Sequence, residues 1–276
     1  MTLDTMKILC VDPDDHPHGD TWKIRPSLQA AVTLGFPEVL AVMARPPVEY
    51  QDSIIKQFPV FSLSRDLPLD RMPPVKIPGY VSGADPSHAD KNYYFSSADD
   101  QWYLNLSVSS LSLGTMKYTT IQDYLERLED PVRALTKIYR PPFYRSVSFR
   151  VLDSICPSLL GLPEVPWDEL LKPWVLGLLA NPVLAPLVRD YTCSALLNIG
   201  SASWARVTGG LVLEPEKEDS RRFNPAFQVD TCLFFQYRQS LDEVLETFRT
   251  FYSYANEIFH SIITEKLYNN LILGML

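Results

Sequence analysis

Apolar residues alternate singly in some stretches of the chain and recur every three or four residues in others, so strands and helices separate by period. From Leu28 to Phe36 the residues Leu28, Ala30, Val32, Leu34 and Phe36 share one face, which predicts a half-buried strand. Val48 to Phe58 fits a short helix with Val48, Ile54, Ile55 and Phe58 inward. Residues 64–90 are rich in proline and read as loop, with one short strand at Val75 to Val81. Tyr93 to Ser97 and Gln101 to Leu113 flank Ala98-Asp99-Asp100 as a hairpin. Trp102, Leu104, Leu106 and Val108 share a face, and the phase then flips to Leu111 and Leu113. Such a slip turns every side chain over and predicts a bulge near Ser109-Ser110. Thr119 and Gln122 form a capping box. The helix it opens carries Ile121, Tyr124, Leu125, Leu128, Val132, Leu135 and Ile138, with Pro131 expected to kink or split it.

The second half repeats this order of elements. A strand is predicted from Ser146 to Leu152, and a helix from Trp167 to Leu179, entered at Pro166 and interrupted at Pro173. Three strands follow, through Tyr191 to Ile199, Ala205 to Leu213 and Phe227 to Phe235, with the charged loop Glu214 to Arg222 between the last two. Ser240 and Glu243 form a second capping box. It opens a helix of roughly 30 residues with a broad apolar stripe.

These elements predict an α+β fold: a curved antiparallel sheet, or two, with long helices on one face, and an internal duplication of a β-α-β-β-β-α unit. The expected organisation is a flexible arm over 1–25, a first α+β unit over 26–142 and a second over 143–276, merged into one globular domain.

Composition narrows the function classes. The 276 residues are 46% hydrophobic and 21% charged, which is globular composition. The formal net charge is −8, and the basic residues are scattered except for Arg221-Arg222. A nucleic-acid surface needs clustered Lys and Arg, so nucleic acid is not an expected partner. Cys10, Cys156, Cys193 and Cys232 form no CxxC pair and read as reduced thiols of a cytoplasmic protein. No basic segment leads into an apolar run at the N-terminus. The most apolar stretch, Trp174 to Val188, is broken by Pro182 and Pro186, so no membrane span is expected.

Several segments together resemble a sporadically distributed, functionally uncharacterised prokaryotic family of about 250–280 residues. They are Leu28 to Phe36, Tyr118 to Asp123, Val147 to Asp153, Pro166-Trp167 with Asp168 to Leu171, and Phe259 to Leu267. The likeness spans residues 28 to 271. The family's central strand tends to read Arg-x-Gly-x-Arg-Tyr-x-Asn. Arg150 matches its second Arg, whereas Ser146, Ser148, Val151 and Asp153 stand where Arg, Gly, Tyr and Asn are expected. Tyr252 stands where the family often has His, and Asp230 matches an acidic residue of the last strand. The resemblance implies an accessory role in mobile or defence-related gene sets. The missing polar members argue against a catalytic central motif.

Candidate chemistry is sparse. His16 and His18 lie among Asp12, Asp14, Asp15 and Asp20, but no rigid element presents them, so a solvated acidic arm is expected and no metal site. Cys193 falls on an apolar strand face and reads as an inert core thiol. Cys232 with His260 and Asp230 is a conceivable triad, against which stands an ordinary helix histidine. Arg150 and Asp230 are polar strand positions that read either as a structural ion pair or, with His260, as ligand-binding residues. No Gly-rich phosphate loop, GxSxG or HExxH occurs, so no catalytic residue and no cofactor is expected. The leading expectation is a non-enzymatic accessory protein that binds a protein partner or itself through sheet edges and the long-helix face. Tyr93, Tyr94, Tyr103, Tyr118 and Tyr124 are read as surface-capable aromatics. The alternative is a small-molecule-binding protein or enzyme with a pocket between the sheet and the C-terminal helix.

Overall fold

The computed structural model describes residues 26–62, 92–116, 120–215 and 221–273. The first half runs β1 (Ser27–Gly35), α1 (Leu40–Ala44), α2 (Val48–Ile54), β2 (Val60–Ser62), β3 (Tyr93–Ser96), β4 (Trp102–Leu106), β5 (Ser110–Thr115) and α3 (Ile121–Tyr139). The second runs β6 (Ser146–Ile155), α4 (Trp167–Leu170), α5 (Pro173–Leu176), β7 (Thr192–Gly200), β8 (Ser203–Pro215), β9 (Phe223–Phe235), α6 (Leu241–Ile262) and α7 (Glu265–Leu273). The fold is α+β. The described strands form a nine-stranded sheet ordered β2-β3-β4-β5-β1-β6-β9-β8-β7, in which every register resolved is antiparallel.

Two compact units divide the described residues. The N-terminal unit holds 29–150 and 232–252, and the C-terminal unit holds 26–28, 151–231 and 253–273. The strands β6 and β9 and the helix α6 each contribute a part to both units.

The core of the N-terminal unit is aromatic. Tyr124 of α3 meets Trp102 at 5.1 Å, Phe149 of β6 at 6.1 Å and Phe248 of α6 at 5.2 Å between ring centroids. Helices α3 and α6 therefore cover the same face of β6 here. Each buried ring contributes about 1.5–3 kcal/mol, and edge-to-face pairs add roughly 0.5–1.5 kcal/mol. Burial holds the Tyr124 phenol well above its usual pKa. The Ala98-Asp99-Asp100 turn forms as expected. The Asp99 carboxylate accepts from Ser97 Oγ at 2.5 Å and Gln101 N–H at 3.3 Å, which holds its pKa below the usual range.

Five local readings are corrected by the structure. The phase flip after Leu106 is a second hairpin turn, not a bulge: the Ser107 N–H donates to Ser110 O at 2.9 Å, and β4 pairs with β5. The cap of α3 is Thr120, whose hydroxyl accepts from the Asp123 N–H at 3.1 Å. Pro131 lies inside an unbroken 19-residue α3. Its ring is buried and its carbonyl accepts from Tyr50 Oη at 3.2 Å, so packing on α2 offsets the missing helix bond. The α2 face turns as well, since Val48 and Ile55 are exposed and Tyr50, Ile54 and Phe58 are buried. The final helix breaks at Ile263-Thr264, where Ile263 bridges to Leu171 and Thr264 N–H donates to Leu170 O at 2.9 Å. The predicted strand Val75 to Val81, Thr119, Tyr118 and the arm over 1–25 lie outside the described residues.

In the C-terminal unit, Phe227 of β9 packs against Trp167 of α4 and Tyr191, with centroids at 6.0 and 6.4 Å. A Cβ on Gly209 of β8 would lie 2.8 Å from the Phe227 ring and 3.1 Å from Val175, so glycine there lets α5 sit close on the sheet. Lys172 N–H donates to Ile262 O at 2.7 Å, tying α5 to the end of α6.

Candidate functional site

The sequence candidates lie on β6, β9 and α6. Arg150 is a half-buried position of β6 in the N-terminal unit, between Phe149 and Val151, which are buried. Alternation along the strand puts it on the face opposite Phe149, away from Phe248 of α6. Asp230 is half-buried on β9, between buried Val229 and Thr231. Its face is that of Gln228, whose side-chain amide donates to Glu214 Oε1 at 3.0 Å. Ser154 Oγ donates to the same carboxylate oxygen. His260 is half-buried on α6, with its ring 5.0 Å from that of Tyr268 on α7. Asp230 and His260 fall on opposite sides of β9. Asp230 points away from Phe227, whereas the end of α6 is tied to α5 on the Phe227 side. Cys232 is buried. Cys193 is half-buried and not a core thiol, and its Sγ lies 3.3 Å from Val175 O.

Among the described residues, no group of three or more His, Cys, Asp or Glu is placed to hold a metal ion, and the His16/His18 cluster lies outside them. Nor does any described helix have the length and apolarity to cross a membrane.

The four described tyrosines read as surface aromatics are inside. Tyr93, Tyr94, Tyr103 and Tyr124 are 9% exposed or less; the first three sit on the β3–β4 hairpin and Tyr124 on the inner face of α3. The exposed apolar surface lies elsewhere. Val183 is 75% exposed, Leu187 71%, Leu178 57% and Trp174 53%. All four come from the stretch Trp174 to Val188, which Gly177, Asn181, Pro182 and Pro186 break into short turns. A helix of that apolarity would bury a stripe; these turns cannot, so side chains are left outside.

The segment is held in place rather than loosely attached. The Asn181 carboxamide oxygen accepts from Val183 N–H at 2.9 Å and Leu184 N–H at 3.3 Å, a local Asx turn. Ala185 N–H donates to Asn181 O at 2.8 Å. The Trp174 indole N–H donates inward to Ser261 O at 3.0 Å while its ring stays exposed. Tyr191 Oη donates to Val175 O at 3.0 Å, which anchors the chain as it enters β7.

Beyond it β7 is the last of the described strands of the sheet, and every one of its residues is exposed or half-exposed. One face carries Ser194, whose hydroxyl accepts from Arg206 Nη1 and bonds Thr208 Oγ1, each at 3.2 Å. Between Pro173 and Gly200 the only charged residues are Arg189 and Asp190, which cancel. The signal for this surface was in the sequence, as an apolar run studded with breakers. Comparison with protein-family models and with curated proteins finds no match for this chain.

Proposed function

We propose that this chain is a non-enzymatic accessory protein that acts by protein–protein contact, through the segment Trp174 to Val188 and the neighbouring strand β7. The observation that carries the reading is the fixed, uncharged exposure of Trp174, Leu178, Val183 and Leu187. Large apolar side chains gathered on one exposed segment, rather than scattered singly, point to an interaction site. The indole of Trp174, pinned by its N–H, is the kind of rigid anchor on which interface energy concentrates.

The same reading takes the framework as an internal duplication. In the order β2-β3-β4-β5-β1-β6-β9-β8-β7, β5 lies beside β1 and β9 beside β6, so each half sets the last strand of a meander beside its own first strand, with β2 an addition to the first half. A curved sheet follows from strand twist over so many strands. Three free cysteines among the described residues suit a reducing cytoplasm.

The test is isolation of the tagged protein from its own cells, wild type beside Val183→Asp/Leu187→Asp, with mass spectrometry of what is retained. The reading expects a near-stoichiometric protein, or a second copy, lost from the double variant while the fold stays intact. A small molecule retained equally by both proteins overturns it.

A further inference from the structure

We infer that β7 pairs antiparallel with the β7 of a second copy, about a two-fold axis at Leu196. This rests on the reading of the chain as a contact protein and names one occupant of that surface.

An outer strand presents a row of backbone N–H and C=O groups that another strand can complete, and proteins usually guard such edges with charge, proline or shortness. The strand β7 has none of these. It is nine residues long, Thr-Cys-Ser-Ala-Leu-Leu-Asn-Ile-Gly, with no charge and no proline. The opposite outer strand among the described residues, β2, has three described residues. The pairing of β7 to β8 is regular from Thr192 to Asn198 and slips only between Asn198 and Gly200, so the edge is straight over most of its length.

The sequence of β7 is self-complementary. Centred on Leu196, antiparallel pairing over the regular stretch sets Ala195 against Leu197 and Ser194 against Asn198 of the second copy. Polar meets polar and apolar meets apolar at each step, and cross-strand partners share a face. Leu196, 41% exposed, meets its own copy on the axis, and Leu197, 39% exposed, is covered on the other face. Centring on Ala195 or on Leu197 instead sets Ser194 against Leu196 or Leu196 against Asn198, polar against apolar.

Charge selects this face for self-association. Two copies of a chain of net charge −8 repel, and the stretch from Pro173 to Gly200 lets them meet without a like charge at the seam. Arg206 pairs with Leu196 one strand in. Its copy would lie about 15 Å away, three strand spacings, beyond the roughly 8 Å screening length. A specific interface needs about 800 Å² per partner. Strand pairing alone falls short of that, and the exposed Val183 and Leu187, a few residues before β7 in the chain, are available to add apolar area toward it.

The test is a cross-link on the axis. Paired Cα atoms lie about 4.5–5.5 Å apart, within disulfide reach. In a background with Cys10 and Cys193 replaced by Ser, Leu196→Cys is expected to give a covalent dimer on mild oxidation. Ser194→Cys alone is expected to stay monomeric, and to cross-link when mixed with Asn198→Cys. Leu196→Lys, with like charges on the axis, is expected to give a monomer by light scattering. A dimer that Leu196→Cys does not trap, or that Leu196→Lys leaves intact, overturns the strand pairing while the contact reading stands. A wild-type monomer that still loses a different protein on Val183→Asp/Leu187→Asp does the same. Failure of the contact reading itself would show in that double variant retaining every partner.

Discussion

Tyr191 donates its hydroxyl to the carbonyl of Val175 at 3.0 Å, and so fastens the entry of the edge strand to α5, the helix that opens the exposed apolar segment. The hydroxyl lies where a side chain on Gly177 would go: a Cβ there would stand 2.5 Å from the Tyr191 oxygen, and the backbone φ is +49°. Gly177→Ala is therefore expected to cost about 1–3 kcal/mol, from left-handed backbone and from displacing Tyr191. Urea unfolding measures the cost, and hydrogen exchange should show faster amides over Thr192–Gly200.

Alkaline pH should act on the same contact. Burial, then the neighbouring Cys193, pushes the Tyr191 phenol up to about 12. An unfolded tyrosine ionises near 10. The folded state therefore holds the proton more tightly, and stability present below about pH 10 is lost as pH rises toward 12. Burial raises Tyr124 and Tyr50 in the same direction. Wild type should lose stability across this window, and Tyr191→Phe should lose less. Equal slopes in chemical denaturation for the two proteins would show that the Tyr191 hydroxyl carries none of it.

Tyr124 locks a strand register in the N-terminal unit. Its hydroxyl accepts from Val32 N–H at 3.1 Å and donates to Leu113 O, and Val32 and Leu113 face each other across β1 and β5. Tyr124→Phe keeps the ring contacts and removes both bonds. Leaving a buried backbone group without a partner costs about 1–3 kcal/mol, to be read as a shift in denaturation midpoint. Val32 should also exchange its amide faster.

Salt should tighten self-association. Copies of net charge −8 repel over distance, whereas the seam around β7 is uncharged. Screening weakens only the repulsion. Sedimentation at rising sodium chloride should show the dimer fraction increasing; a falling fraction would mean that ion pairs hold the copies.

Much of the fold was legible in the sequence because burial imposes period. Alternation placed β1, β6, β8 and β9, and the box of Ser240 with Glu243 placed the start of α6, where Ser240 N–H donates to Glu243 Oε2 at 2.6 Å. What period could not show was tertiary compensation. Pro131 survives within α3 because of its packing and the Tyr50 bond, and α6 ends where Thr264 turns to Leu170. A reversed phase after Leu106 is the same pattern for a bulge and for a tight serine turn. The functional surface was misplaced for a related reason. Tyrosine is amphipathic and sits inside when its hydroxyl finds a backbone partner, as Tyr124 does, whereas Trp174 to Val188 was judged only for its length as a membrane span. Arg150, Asp230 and His260 were found as polar breaks in apolar patterns, a signal that structural positions and ligand sites share.

The contact surface can be mapped by hydrogen exchange on the tagged protein isolated from its own cells, before and after its assembly is dissociated. New protection over Trp174 to Val188 and Thr192–Gly200, lost on dissociation, is the predicted result. Protection gathered instead around Arg150, Asp230 and His260, with those two segments unchanged, would contradict it.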